Sequence, residues 1–236
     1  MSVYFDDLCE KIDDRLAVSF SQRDGQVIPS TSSVALKDGA VKLEATFLYA
    51  DLAGSSALSQ VCPWQTTAKI IKRYLYVCSR LITAWGGEIR SFDGDRVMGI
   101  FIGETPSNNA VKCAREIDYT IFKALDPKAK SQFKSVRENG INIRHCVGID
   151  HGESRAVRGG IRDSNDLLWI GKPPSFAAKL SDIRDYPREV YISSRVYSRL
   201  NADQKIVDGK NIWTSESFDF AGKSETVYST TTVKEP

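Results

Sequence analysis

Two β-type runs meet at Asp93-Gly94 in the segment GGEIRSFDGDRVMGIFIG, and that dipeptide suits a tight hairpin turn. A turn this short makes its two strands antiparallel neighbours, so any sheet the chain builds contains this pair. A long helix precedes it. Residues 64–85 place Ile71, Leu75, Cys78, Ile82 and Trp85 along one stripe, with Lys69, Arg73 and Arg80 elsewhere around it, and Gly86-Gly87 stops it. Upstream, Ala45–Asp51 reads as a buried strand that runs into the small-residue turn Ala53-Gly54-Ser55-Ser56. Downstream, residues 107–125 read as a second helix, opening with Ser107 and Asn108 as caps.

The flanks follow the same logic. Tyr4, Phe5, Leu8, Ile12, Leu16 and Phe20 sit at helical spacing, so residues 4–20 read as an amphipathic helix. Residues 21–40, rich in Ser, Gly, Asp and Pro, read as a loop. Polar residues 127–140 read as helix plus loop. A strand is expected over 142–150 with a partner over 154–158, then a charged turn over 159–166. A proline-led helix is expected over 173–183. Strand 188–193, a short helix 194–200 and late strands near 212–220 and 225–232 complete the chain. The order βαββαβ predicts a ferredoxin-like α+β domain, with helices flanking a mostly antiparallel sheet. At 236 residues the chain suits one domain with additions. The expected division is an N-terminal helix and linker over 1–41 and the domain over 42–236.

Composition excludes several functions. A formal net charge of +2 does not suggest a nucleic-acid coat or a membrane-binding polybasic arm, so neither partner is expected. The N-terminus has no basic region followed by an apolar one, and the run Val97–Ile102 is far shorter than a membrane span needs, so a cytoplasmic chain is expected. Cys9, Cys62, Cys78, Cys113 and Cys146 lack metal-type spacing and read as reduced structural thiols. His145 and His151 read as structural.

Chemistry is carried by two aspartates. Asp51 ends the first strand, and Asp95 directly follows the hairpin turn. If those strands are neighbours, both carboxylates meet at one sheet edge, where hard oxygen ligands with open positions suit Mg²⁺ or Mn²⁺. Gly54, Ser55 and Ser56 block little space, so backbone N–H groups there can approach phosphates. The same aspartates also read as a helix cap and a turn residue.

The wording around them narrows the choice. FLYADLAGSS resembles the first metal motif of class III nucleotidyl cyclases, GGEIRSFDGDRVMGIF their second, RHCVGIDHGESRAVRGG their following hairpin, and IGKPPSFAAKL their transition-state helix. The four lie in the family's order across residues 42–232. RGGIRDSNDLLWIGKPPSFAAKLSDIR and the VYSTT strand look like the Pycsar antiphage cyclases, which make cyclic UMP or cyclic CMP. That resemblance implies a class III cyclase domain and a homodimer with active sites across its interface. It also implies two metal ions held by Asp51, Asp95 and the Leu52 carbonyl. A separate effector protein would respond to the cyclic nucleotide.

The family's transition-state Asn and Arg fall on Ser175 and Lys179. Lys179 keeps the charge without the guanidinium fork, and Ser175 keeps a hydroxyl without the amide's reach. Arg162 is the candidate for the triphosphate tail, and Lys223 is a possible substitute for a late lysine that Ala221 has replaced. The purine-reading Lys and Asp of adenylate cyclases fall on Ser91 and Leu168, which would leave a purine edge poorly paired. Tyr49 adds a ring and hydroxyl where Phe is usual, which suits a smaller pyrimidine. Arg90 is set aside because strand alternation puts it opposite to Ser91. The expectation is a UTP cyclase, with CTP as the alternative substrate. An adenylate or guanylate cyclase and a degenerate nucleotide-binding domain are the rivals.

Overall fold

The computed structural model describes residues 2–236. In chain order the elements are α1 (Val3–Leu16), β1 (Ser21–Asp24), a 3₁₀ turn (Thr31–Ser33), β2 (Gly39–Ala53), α2 (Ser55–Val61) and α3 (Trp64–Ala84). There follow β3 (Glu88–Asp93), β4 (Arg96–Phe101), α4 (Pro106–Thr120) with a π turn (Ile121–Leu125), α5 (Asp126–Gln132), α6 (Lys134–Glu138), β5 (Arg144–Ile161) and β6 (Ser164–Ile170). The last are α7 (Lys172–Ser181), β7 (Val190–Ser193), α8 (Ser194–Arg199), α9 (Ala202–Lys205), β8 (Ile206–Val207), β9 (Lys210–Asn211), β10 (Thr214–Phe220) and β11 (Lys223–Thr230). By packing, the chain divides into two compact units. One holds the residues up to Glu44 together with Glu153–Gly171, and the other holds Ala45–Gly152 and Lys172–Pro236. The boundary read from sequence lay between residues 41 and 42.

In the larger unit the strand order is β10-β11-β7-β5-β2-β4-β3. Its centre, β5-β2-β4-β3, is the ferredoxin-like arrangement expected from βαββαβ. The β2–β4, β3–β4 and β10–β11 pairs are antiparallel, and β5–β7 is parallel. The main core lies on the sheet face that carries Leu48, Ala50, Leu52, Val147 and Ile149, packed with α3 and α4. On α3 the buried stripe is Ile70, Tyr74, Cys78 and Ile82. Ile71 and Leu75, expected in that stripe, are half-buried at its flank. A smaller cluster of Cys146, Phe176, Leu180, Tyr191 and Val227 seats α7 on the opposite face.

Three local expectations are corrected. Thr105, not Ser107 or Asn108, holds the N-cap position of α4. Both expected caps are buried and make tertiary bonds instead: Ser107 Oγ lies 3.1 Å from Thr46 Oγ1, while Asn108 bonds the Arg199 carbonyl and the Asn201 amide. The strands expected over 142–150 and 154–158 are one strand, β5, with no reversal between them. Its reversal comes later, at Arg162-Asp163, so residues 159–161 and 164–166 of the expected turn are paired strand.

In the smaller unit, β1 arises inside the expected loop by pairing in parallel with Gly39–Lys42. Its sequence SQRD carries no apolar alternation to announce a strand. β6 pairs with Arg155–Ile161 of β5, and Val34, Val41, Ala156 and Leu167 form a small core there. Helix α1 is shorter than expected, ending at Leu16, and buries none of its residues. Among the described residues, no helix is long and apolar enough to cross a membrane.

Candidate active site

Register across β2, β4 and β3 brings the first candidates together. Asp51 lies opposite Arg96, and Arg96 lies opposite Asp93. One step along the same face, Tyr49 lies opposite Met98, and Met98 opposite Ser91. Directly opposed residues share a face, and residues two apart on a strand do too. The two rows therefore stand side by side on the face opposite to the main core. Ile89 packs into that core and Ser91 does not, because a register shift at Arg90 breaks the alternation of β3. Strand alternation thus does not dispose of Arg90, the extra residue of the bulge, whose buried Nε has no hydrogen-bond partner.

Asp95 follows Gly94 in the β3–β4 turn, where Gly94 takes a φ of +60° that a side chain would resist. Asp95 Oδ2 is buried and has no hydrogen-bond partner. Asp51 is 7% exposed, and both its oxygens are engaged: Oδ1 accepts from Arg96 Nε at 3.2 Å, and Oδ2 from an Arg184 terminal nitrogen at 2.5 Å. Arg96 also donates to Asp182. Burial works against the Arg96 charge, but the Asp51 and Asp182 carboxylates outweigh it and raise the guanidinium pKa. Tyr49 is half-buried, and desolvation raises its hydroxyl pKa against a smaller opposing effect of Arg96. That hydroxyl is a proton-bearing donor at neutral pH.

Helix α7 approaches this face through Gly148 of β5. A Cβ there would lie 2.1 Å from the Ala177 carbonyl oxygen and 2.5 Å from the Ser181 nitrogen. Ser175 and Lys179, one turn apart, share the exposed side of α7, and Lys179 Nζ lies 3.5 Å from Asp182. Lys179, Asp182, Arg96, Asp51 and Arg184 thus form one continuous chain of ion pairs.

The phosphate candidates lie at the end of β2. Gly54 takes a φ of +70° and passes the chain into α2, which begins at Ser55-Ser56. Leu52 turns its side chain into the main core. Leu52, Ala53, Gly54, Arg144 and Tyr186 line a cavity of about 400 Å³. Arg162 and Leu168 belong to the smaller unit: Arg162 is exposed at the β5–β6 turn, and Leu168 is exposed on β6 opposite Val157. Lys223 opens β11 directly after the Ala221-Gly222 turn.

The carboxylates fit a hard divalent cation. The unpartnered Asp95 Oδ2 is a buried acceptor with no donor, and Asp51 lies two residues before the end of β2, opposite Arg96, the residue that follows Asp95. No group of three or more His, Cys, Asp and Glu side chains converges among the described residues. Two carboxylates are enough for an ion that keeps water and substrate phosphate in its shell. Both histidines serve structure: His151 Nδ1 lies 2.8 Å from Thr46 Oγ1, and His145 Nε2 lies 3.2 Å from Asp118.

Sequence reasoning missed Met98, Arg96, Asp182, Arg184 and Gly148. Asp182 and Arg184 carried a signal, since they follow Lys179 by three and five residues at the end of the same helix. Met98 and Gly148 carried none, because their importance comes from register and from the neighbouring helix.

No family model matches the chain. Curated relatives do. A protein named uridylate cyclase from Rhodovulum sp. (strain MB263) is 42% identical over 219 residues, covering 92% of this chain and 91% of that one. Another of that name, from Xanthomonas perforans, is 34% identical over 206 residues, covering 87% of each chain. Among solved structures, the guanylyl cyclase Cya2 matches with a TM-score of 0.67 at 18% identity, covering 83% of this chain and 95% of that one, a likeness of fold.

Proposed function

This chain belongs to the uridylate cyclase family, and from that premise we propose that it converts UTP to 3′,5′-cyclic UMP and pyrophosphate. It is a nucleotidyl cyclase with the class III cyclase fold. The observation that carries the choice of base is the Tyr49–Met98–Ser91 row beside the Asp51–Arg96 pair. Two hydroxyls around a thioether suit the carbonyls of a uracil, and they leave the larger polar edge of a purine without matching partners.

In the reaction the ribose 3′-oxygen bonds to the α-phosphorus, the bond to the bridging oxygen breaks, and pyrophosphate leaves. Asp51 and Asp95, with the Leu52 carbonyl, would hold two Mg²⁺ or Mn²⁺ ions. Bound there, such ions lower the pKa of the 3′-hydroxyl and neutralise charge on the triphosphate. The proton passes to an aspartate carboxylate. Lys179 meets the charge that develops on the α-phosphate as a point cation, and Ser175, one turn before it, orients the ribose. Gly54, Ser55 and Ser56 offer backbone N–H groups to phosphate oxygens. Residues 42–236 form the catalytic domain, the working unit is a homodimer, and the product signals to a separate effector in antiphage defence.

The test is to incubate the purified protein with Mn²⁺ and each of ATP, GTP, CTP and UTP, reading products by mass spectrometry beside an Asp51→Ala control. Cyclic UMP that disappears in the control is the expected result. Cyclic CMP alone would move the assignment to cytidylate cyclase. Cyclic AMP or GMP would overturn the reading of Tyr49 and Ser91. No cyclic product from any nucleotide would overturn turnover itself and leave a nucleotide-binding module.

A further inference from the structure

We propose that Arg184 is a gate on the metal site: together with Arg96 it occupies the Asp51 carboxylate, and a cation must displace it to bind there. The proposal rests on the reading of Asp51 as a metal ligand. Four observations on the larger unit lead to it.

The two proposed ligands are in opposite states. Asp95 Oδ2 has no hydrogen-bond partner, whereas each oxygen of Asp51 accepts from a different guanidinium. Asp51 is 7% exposed, so water cannot easily substitute for those donors. The two arginines are also unequally tied. Arg96 has a second carboxylate, Asp182, to hold its charge when Asp51 is taken. Arg184 has its other terminal nitrogen on the Ser181 and Ile183 carbonyls, at 2.7 and 2.9 Å.

A guanidinium and a divalent cation repel each other and compete for the same lone pairs. Arg184 is the one that yields, because its remaining bonds are to neutral carbonyls at the end of α7 and hold whether or not it reaches Asp51. Arg184 therefore acts as a positioning residue through Asp51. It keeps the carboxylate aimed before metal arrives, and it lowers metal affinity in the process.

The test is a titration of the full-length, nucleotide-free protein with Mn²⁺, read by loss of the free-ion electron paramagnetic resonance signal. The wild type is compared with Arg184→Gln, Arg184→Lys, Arg184→Met and Asp51→Asn. Arg184→Gln is expected to bind Mn²⁺ about 10-fold more tightly, which corresponds to about 1.4 kcal/mol. Arg184→Lys, which keeps the charge, is expected to stay within about 3-fold of the wild type, a difference of under about 0.7 kcal/mol. A purely structural role would not raise affinity, so unchanged or weaker binding by a folded Arg184→Gln protein overturns the gate. Should that variant fail to fold, Arg184→Met, which removes the charge but keeps an unbranched side chain, must tighten binding in the same direction, and no change there overturns the gate. Asp51→Asn separates the two readings. Loss of binding in Asp51→Asn without a gain in Arg184→Gln defeats the gate alone. Binding by Asp51→Asn equal to the wild type defeats the metal reading of Asp51 and the gate with it.

Discussion

Gly148 lies so close beneath the Ala177 carbonyl that a methyl group at position 148 would stand 2.1 Å from that oxygen. The obstruction is backbone on a helix that also carries Ser175, Lys179 and the start of the ion chain to Asp51, so it cannot swing aside like a flexible side chain. Gly148→Ala is expected to push α7 outward. It should cost about 1–3 kcal/mol of stability, the usual range for overpacking, and lower turnover as well. Urea denaturation and a UTP turnover assay on the same preparation check both; native stability with native turnover would show that α7 has room to move.

Asp95 separates activity from stability. Its buried Oδ2 accepts from no donor, so Asp95→Asn removes no native hydrogen bond at that oxygen. Turnover is expected to fall by at least about 10³-fold, because a metal ligand supports several kcal/mol of transition-state charge stabilisation. The melting temperature is expected to stay the same or rise. A mutant that melts early and retains activity would place Asp95 among the turn-forming residues.

In the proposed reading, the Tyr49 hydroxyl is the part that meets the base. Tyr49→Phe keeps the ring against Met98 and is expected to lower kcat/KM for UTP by about 3- to 10-fold, the worth of one neutral hydrogen bond. The fall should be smaller for ATP. Steady-state kinetics with both nucleotides measure the ratio, and an equal fall for both would assign Tyr49 to the core.

Glu189 makes stability depend on pH. Burial first, then the nearby Asp118 carboxylate, push its pKa up to about 7, against the opposing charges of His145 and Arg144, the latter 2.7 Å away. Between the ordinary glutamate value of 4.5 and about 7, the folded protein holds this proton and the unfolded chain does not. Stability from this group is therefore greatest at low pH and declines as pH rises through that window. Glu189→Gln is expected to flatten the decline, measured as melting temperature from pH 5 to pH 8.

What the sequence by itself determined is local. The Asp93-Gly94 turn, the small-residue turn after Asp51 and the long stripe of α3 are written in residues a few positions apart, and their order was enough to settle βαββαβ. Asp51 and Asp95 could be named as candidates because the small-residue turn after one and the Asp93-Gly94 turn before the other mark them without any knowledge of neighbours. The tertiary structure decided what depends on register and contact. Met98 becomes the centre of a row because two other strands pair with it at that residue. Arg90 escapes alternation because a bulge inserts one residue. β1 exists because Gly39–Lys42 offers a pairing edge to a segment with no strand pattern of its own. Arg184 reaches Asp51 because Gly148, remote in sequence from both, lets α7 lie directly on the sheet. Such relationships join residues through space at the scale of a few ångströms, and a periodic pattern along one chain has no term that records them.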